Sequence, residues 1–175
     1  KILQEVVRYE WITPFDEVKA VTEYFIKTES DFQQFLKYQP RIPKLDFLEL
    51  QKAKFEMGDK GVTAPWGWGL FNFAADHRGL ENLLVDMLTN SQFFNTMMDF
   101  FRNQLSDFYL QLTHCGVDII SYPGNLANGT VVGPAFFKDY IFPFEQQLIN
   151  FIQERGTHVL YHNCGDALGM IDAYN

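Results

Sequence analysis

The sequence contains two short apolar segments, 117–122 (VDIISY) and 157–162 (THVLYH), and each follows a glycine. Segments of this length that are rich in β-branched and aromatic residues and bounded by glycine are typical of strands. Between them, Pro134 stands where a helix can begin, and apolar residues then recur every three or four positions as far as Ile152. This strand–helix–strand order predicts parallel strands joined by a right-handed crossover.

The same alternation extends upstream. Residues 61–70 (GVTAPWGWGL) predict a strand that runs into a glycine-containing loop, and residues 94–112 carry the continuous apolar stripe of a long helix. We therefore expect an α/β fold that forms part of a (β/α)8 TIM barrel, since a complete barrel needs about 250 residues. We treat 1–175 as a single domain, with the barrel strands and helices in 60–175.

Two further features concern local structure. The turn signal Thr13-Pro14-Phe15-Asp16 lies inside a β-rich segment and predicts a β-hairpin over residues 1–27, placed outside the barrel strands as a flap over the barrel mouth. Pro143 lies inside the helix that follows Pro134. It predicts a kink there, because proline has no amide hydrogen to offer the carbonyl of Asp139.

The composition excludes several classes of protein. Of the 175 residues 47% are hydrophobic, which excludes a disordered chain, and the net charge of −8 argues against a nucleic-acid partner. No apolar run suggests a membrane span, and the first residues turn polar at once, so we expect no membrane partner and no leader. Two cysteines, Cys115 and Cys164, indicate a reduced, cytoplasmic protein. Eighteen phenylalanines fit either a bulky core or an aromatic pocket for a flat or apolar ligand.

Chemistry in parallel α/β folds takes place at the carboxyl ends of the strands, here in the segments 66–77, 121–128 and 161–166. The pair His162 and Cys164 is the sharpest candidate, because residues two apart on an extended chain point the same way, and nitrogen with thiolate sulfur suits zinc. At least one more ligand must come from elsewhere. The alternative is a buried cysteine beside a hydrogen-bonded histidine. No phosphate-binding glycine motif and no nucleophile-elbow motif is present.

Several stretches, in their order and spacing, resemble the uroporphyrinogen decarboxylase superfamily. They are 64–66 (APW), 78–84 (RGLENLL), 116–120 (GVDII), 133–137 (GPAFF), 142–143 (FP) and 159–165 (VLYHNCG). The likeness covers roughly residues 60–172, and more loosely the hairpin. It implies a (β/α)8 barrel with one of two chemistries. Decarboxylases of this superfamily act on uroporphyrinogen without metal or cofactor, whereas related methyltransferases move a methyl group from a corrinoid to a thiol such as coenzyme M.

The resemblance is closer to the zinc-dependent corrinoid methyltransferase branch. That branch carries zinc on a His-x-Cys pair, which His162 and Cys164 match, and on a later cysteine that would lie beyond residue 175. The implied partners are a small-molecule thiol or a tetrapyrrole, and a corrinoid protein as methyl donor. No catalytic residue is assigned. The substrate-binding residues expected at the strand ends are Trp66, Phe71, His77, Tyr122 and Asn125. For His77, binding of an anionic group and a solvated loop position are both open.

Departures from the family pattern weigh against a decarboxylase. The N-terminal segment that supplies the decarboxylase's aspartate and arginines has no counterpart, and the tyrosine after Ala-Pro-Trp falls on Phe71. The strand-end serine also has no clear equivalent, because Tyr122-Pro123 occupies that region. The methyltransferase assignment also departs from the family pattern, because the methyltransferases usually carry an acidic residue near Tyr122. The interpretation from sequence is methyl transfer, with a decarboxylase of tetrapyrrole biosynthesis or a non-catalytic relative as alternatives.

Overall fold

The computed structural model describes residues 2–39 and 42–174. Strand β3 (Ile119–Pro123) pairs in parallel with β4 (His158–His162), from Ile119 opposite His158 to Pro123 opposite His162. On its other side β3 meets the segment 63–67 through a parallel bridge between Trp66 and Ser121. The three segments are therefore adjacent and parallel, with β3 in the middle, as the sequence predicts.

The helices cover one face of these strands. Ile120 and Tyr122 on β3 and Tyr161 on β4 point toward the helices, and the first two are fully buried. Leu160 points to the opposite face and is 56% exposed. The described residues thus show an α/β layer with an open inner sheet face, and they do not show a closed barrel.

The helical layer is built around one long amphipathic helix. In chain order the helices are α1 (Glu29–Tyr38), α2 (Leu48–Met57), α3 (Leu70–Arg78), α4 (Leu80–Thr89), α5 (Ser91–His114), α6 (Pro134–Phe136) and α7 (Phe142–Gln153), with short 3₁₀ turns at Gly58–Lys60 and Leu168–Ala173. The apolar stripe of α5 packs against α3, α4 and α7. Fully buried members of this core include Leu70, Phe71, Phe94, Met97, Met98, Phe101, Leu105, Leu148 and Ile152. Nine of the 29 aromatic side chains are buried in this core, and eleven more are partly buried and pack against it.

A π-helical turn, Phe137–Ile141, separates α6 from α7. Its wider hydrogen bond runs from the amide of Phe142 to the carbonyl of Phe137. The turn comes directly before the position where Pro143 removes an amide donor, which is where proline disturbs a helix. The helix is thus interrupted by a π turn, and Pro143 lies in the first turn of α7 and not inside one continuous helix as the sequence predicts.

The N-terminal segment forms an antiparallel hairpin of β1 (Val6–Thr13) and β2 (Asp16–Glu23), which confirms the prediction of a hairpin. The chain leaving the hairpin contacts the carboxyl-terminal end of α3, where the Ile26 amide donates to the carbonyl of His77 at 3.1 Å. This end of α3 lies away from the strand-end loops, because α3 begins at them and runs back along the sheet. These contacts therefore do not support the prediction that the hairpin lies as a flap over the barrel mouth.

The segment 66–77 is not one long loop. After a short turn it becomes α3, which begins at Leu70. Gly69 makes this geometry feasible, because a Cβ atom there would collide with the carbonyl oxygen of Pro123 in β3. No helix within residues 2–39 and 42–174 is both long enough and apolar enough to cross a membrane.

Candidate functional site

The carboxyl ends of the three parallel segments bring together a group of residues that we call the strand-end site: Trp66, Asn125, His162 and Cys164. His162 is the last residue of β4, and its side chain is exposed. The ring of Trp66 contacts the ring of His162 edge to face, with the centroids 5.3 Å apart. Since alternate residues of a strand face opposite sides, His162 lies on the open inner face and not on the helix face.

The loop that follows β3 holds the backbone around His162 and Cys164. The amide of Gly124 donates to the carbonyl of His162 at 2.8 Å. The amide of Cys164 donates to the side-chain oxygen of Asn125 at 3.4 Å. Asn125, expected from the sequence to bind substrate, therefore contacts the Cys164 backbone in this structure. The Cys164 thiol is exposed and unpaired.

Three further asparagines tie the strand ends together, and sequence reasoning missed them. Asn128 accepts from the amides of residues 130 and 131, at 2.9 Å each. Asn163 donates to the carbonyl of Ala127 at 3.1 Å. Asn72, in α3, accepts from the amide of Leu126 at 3.1 Å. The signal available in the sequence is the density of asparagine in the loop after β3, because asparagine side chains readily bond to loop backbone.

The His162–Cys164 pair suits zinc as two of its ligands. Imidazole nitrogen and thiolate sulfur are both preferred zinc donors, and both side chains are exposed at the end of a strand. The alternative of a buried cysteine beside a hydrogen-bonded histidine stays a prediction, because no described residue covers the face of the sheet that carries the pair. Within the described part of the chain, no group of three or more His, Cys, Asp or Glu side chains is placed to hold a metal ion. A metal ion held by this pair would therefore need a further ligand from outside these residues.

Tyr122 and Phe71 do not face the strand-end site, which corrects the expectation that they bind substrate. Tyr122 is fully buried on the helix face, and its hydroxyl accepts from the amide of Leu70 at 2.7 Å. Burial raises the pKa of Tyr122 well above its usual value. Phe71 is the second residue of α3 and is also fully buried. Both side chains belong to the core between sheet and helices.

His77 is likewise distant from the strand-end site. It lies in the last turn of α3, about 10 Å along the helix from Leu70, and its Nδ1 lies 2.8 Å from the carbonyl oxygen of Phe73. Rings of four phenylalanines contact its imidazole: Phe25, Phe35, Phe73 and Phe101. Burial lowers the pKa of His77, so the neutral ring is favoured. Neither binding of an anionic group nor a solvated loop position describes this environment.

Comparisons with known proteins agree with this architecture. The family model described as uroporphyrinogen decarboxylase (URO-D) matches residues 61–175. A solved structure described as a methyltransferase from Methanosarcina mazei superposes with a TM-score of 0.69 at 13% identity. The superposition covers 89% of this chain and 46% of that one, so this chain spans about half the length of that structure. No curated protein matches the sequence.

An identity of 13% shows a shared fold and does not show a shared reaction. The family match is a different kind of evidence, because it covers more than half of the chain and includes β3, β4 and both residues of the His-x-Cys pair. The chain belongs to the uroporphyrinogen decarboxylase (URO-D) family.

Proposed function

We propose that this chain is part of a URO-D-family methyltransferase that moves a methyl group from a corrinoid to a zinc-activated thiol. The observation that carries the proposal is the placement of His162 and Cys164, both exposed at the carboxyl end of β4. In barrel enzymes this end of the strands is where the reaction takes place. The zinc ion would be held by His162 and Cys164 together with at least one ligand from outside the described residues.

The fold part of the proposal is a (β/α)8 barrel to which this chain contributes adjacent strands. Parallel strands with helices on one face match barrel geometry. The open inner face, with Leu160 exposed, fits a surface that further strands would cover. The superposed methyltransferase is about twice as long as the matched region, which supports the same interpretation.

Zinc bound at this pair would lower the pKa of a coordinated thiol and so favour the thiolate, which is the stronger nucleophile. The chain's own residues prepare the place for it. The edge-to-face contact with Trp66 restricts the imidazole of His162. The side chain of Asn125 fixes the backbone of Cys164. Trp66 is 62% exposed and offers an apolar surface beside the pair for a small thiol or a corrinoid ring.

The two cysteines support the cytoplasmic setting that the sequence indicates. Cys115 and Cys164 are both unpaired, and a thiol site of this kind works only while Cys164 stays reduced. Cys115 is half-buried near the end of α5, and its thiol contacts the carbonyl of Gln111. Cys115 therefore offers a matched control for experiments on Cys164.

The first prediction concerns zinc content. The full-length protein should contain one zinc ion per chain, and C164S and H162A should each lose most of it, because they remove a donor that zinc prefers. C115S should keep the metal. The measurement is metal analysis by mass spectrometry after dialysis against a weak chelator. A full-length protein that binds no zinc, or a C164S variant that keeps it, would contradict the proposal.

The family match gives a second candidate, a carboxy-lyase that acts on a tetrapyrrole. Decarboxylases of this superfamily use no metal, so this candidate predicts turnover of uroporphyrinogen that a chelator leaves unchanged. It also predicts that C164S retains activity. A full-length protein with neither zinc nor this turnover would be a non-catalytic relative.

A further inference from the structure

A buried carboxyl group lies directly beneath the strand-end site, on the helix side of the sheet. Glu145, in α7, is fully buried. The hydroxyl of Tyr161 donates to its Oε2 atom at 2.7 Å. Its Oε1 atom has no hydrogen bond of good geometry among the described residues. Burying an acid in this way costs stability compared with an apolar side chain of similar size, so the position calls for an explanation.

The groups around Glu145 are tyrosines from several elements. They are Tyr161 from β4, Tyr122 from β3, Tyr109 from α5 and Tyr174 from the carboxyl-terminal end of the described chain. The negative charge of Glu145 raises the pKa of each of these tyrosines. The rings of Tyr122 and Tyr161 stack with centroids 5.4 Å apart. Hydrogen bonds from Tyr161, from the backbone of Phe71 and from Tyr122 lower the pKa of Glu145, and burial raises it by more. Burial raises this pKa to about 7, so the carboxyl group is not held as one half of an ion pair.

These contacts connect Glu145 to the ends of β3 and β4 and to the beginning of α3. Tyr161 directly precedes His162. The hydroxyl of Tyr122, which also interacts with the Glu145 carboxylate, accepts from the first amide of α3. Gly124, whose amide bonds to the carbonyl of His162, packs so closely on the hydroxyl of Tyr161 that a Cβ atom would collide with it. One carboxyl group is therefore linked to the end of β4, the end of β3 and the beginning of α3.

We propose that Glu145 is a positioning residue for the strand-end site. Its carboxyl group holds the Tyr161 hydroxyl. Tyr161 in turn fixes the end of β4 and the Gly124 loop, which hold the backbone of His162 and Cys164. The link to metal binding rests on the proposed function, whereas the link to backbone order does not. Glu145 lies on the opposite face of the sheet from His162, so it acts on the strand-end site through Tyr161 and the Gly124 loop.

The test uses the chain with C115S as background and compares E145L, E145Q and Y161F. D86N is the matched control, because Asp86 is another buried acid but is paired with Arg78 between α3 and α4. Amide hydrogen exchange is followed in the segments 120–127 and 158–165 and, as reference, in α5. E145L and Y161F should speed exchange in the two strand-end segments at least tenfold while α5 changes little. E145Q should restore most of the protection, because its amide oxygen still accepts from Tyr161.

A purely structural role would give a different result. If E145L speeds exchange equally in α5 and at the strand ends, if E145Q is no better than E145L, or if D86N has the same selective effect, the proposal is overturned. Should E145L fail to fold, Y161F decides, since it removes the same hydrogen bond from the other side.

Zinc affinity separates this proposal from the proposed function. Zn²⁺ alone is titrated into the full-length protein and its E145L and D86N variants. Tenfold or greater weakening in E145L, with D86N unchanged, supports both proposals. A wild-type protein that binds no zinc overturns the proposed function, and the exchange measurement then still decides the role of Glu145. Unchanged zinc affinity in a folded E145L protein overturns the positioning role.

Discussion

The free energy of unfolding should depend on pH through Glu145, because the pKa of this carboxyl group differs between the folded and the unfolded chain. Its pKa rises from the ordinary value of 4.5 to about 7 on folding. Between these values the unfolded chain has released the proton and the folded chain retains it. The free energy of unfolding therefore falls as pH rises through this window, and this contribution is constant above it. The difference corresponds to roughly 3 kcal/mol.

The E145Q variant isolates this effect, because glutamine does not titrate. The wild-type protein should lose stability relative to E145Q as the pH is raised from 4.5 to about 7, and the difference between them should then stay constant. The tyrosines that face Glu145 have pKa values raised above 10 and do not titrate in this window. Urea unfolding at half-unit steps of pH measures the difference. If the free energies of unfolding of the wild-type protein and E145Q change with pH in parallel, the pKa of Glu145 is not raised by folding.

Single positions at the strand ends differ in how well the sequence predicts them. The sequence predicts that His162 and Cys164 lie together at a strand end, because a strand end and a spacing of two residues are local features. The sequence does not predict the direction of Tyr122, since apolar and polar residues do not alternate from Ile119 to Tyr122 in a way that shows which side chain faces which way. Glu145 gave no sequence signal, because its partner Tyr161 is sixteen residues away.

Among the helices, α3 and α4 are joined to the N-terminal segment by one buried ion pair. Arg78 closes α3, and its Nε lies 2.7 Å from the Oδ2 atom of Asp86 in α4. A second nitrogen of Arg78 donates to the carbonyls of Ile26 and Lys27. The side chains of the pair are each 10% exposed. Removing one partner would leave the other charge buried and without its counter-ion.

D86A should therefore lower the free energy of unfolding by about 3–5 kcal/mol. The matched control is D99A, which removes an ion pair with Arg102 in which the Asp99 side chain is 54% exposed. That change should cost less than about 1 kcal/mol, because solvent screens exposed pairs. Equilibrium unfolding in urea measures both. Equal costs for the two variants would mean that the Arg78–Asp86 pair is exposed to solvent and not buried.

Helix α3 shows why an element can escape a sequence-based prediction. No side chain of its own segment caps its beginning. The first amide is instead satisfied by the hydroxyl of Tyr122, 52 residues further along the chain. The usual local signals of a helix start are therefore missing, and the glycines at 67 and 69 indicate a loop. In contrast, α5 carries its own cap, Asn90, and a complete apolar stripe, and its sequence pattern predicts it well.

Across the whole chain, the parallel strand order was predictable because it depends on hydrophobic pattern and on the handedness of crossovers. The sequence does not predict where the hairpin lies, because few residues of the hairpin contact the rest of the chain. None of the residues in β1 or β2 is buried. Its link to the core lies just beyond β2, where Ile26 is fully buried and the ring of Tyr24 packs on Gly79.

This arrangement predicts that the hairpin opens without unfolding the rest of the chain. A hairpin of two strands is marginally stable in water, so its opening should cost about 0–2 kcal/mol, whereas the amides of α5 should open only with global unfolding. Hydrogen exchange followed by mass spectrometry should show residues 6–23 exchanging at least a hundredfold faster than residues 91–114.

T13A should speed hairpin exchange further, because the Thr13 hydroxyl accepts from the amides of Phe15 and Asp16 in the turn. The exchange of α5 should stay the same in that variant. Equal protection of hairpin and α5 would contradict the prediction, and would mean that another surface covers β1 and β2.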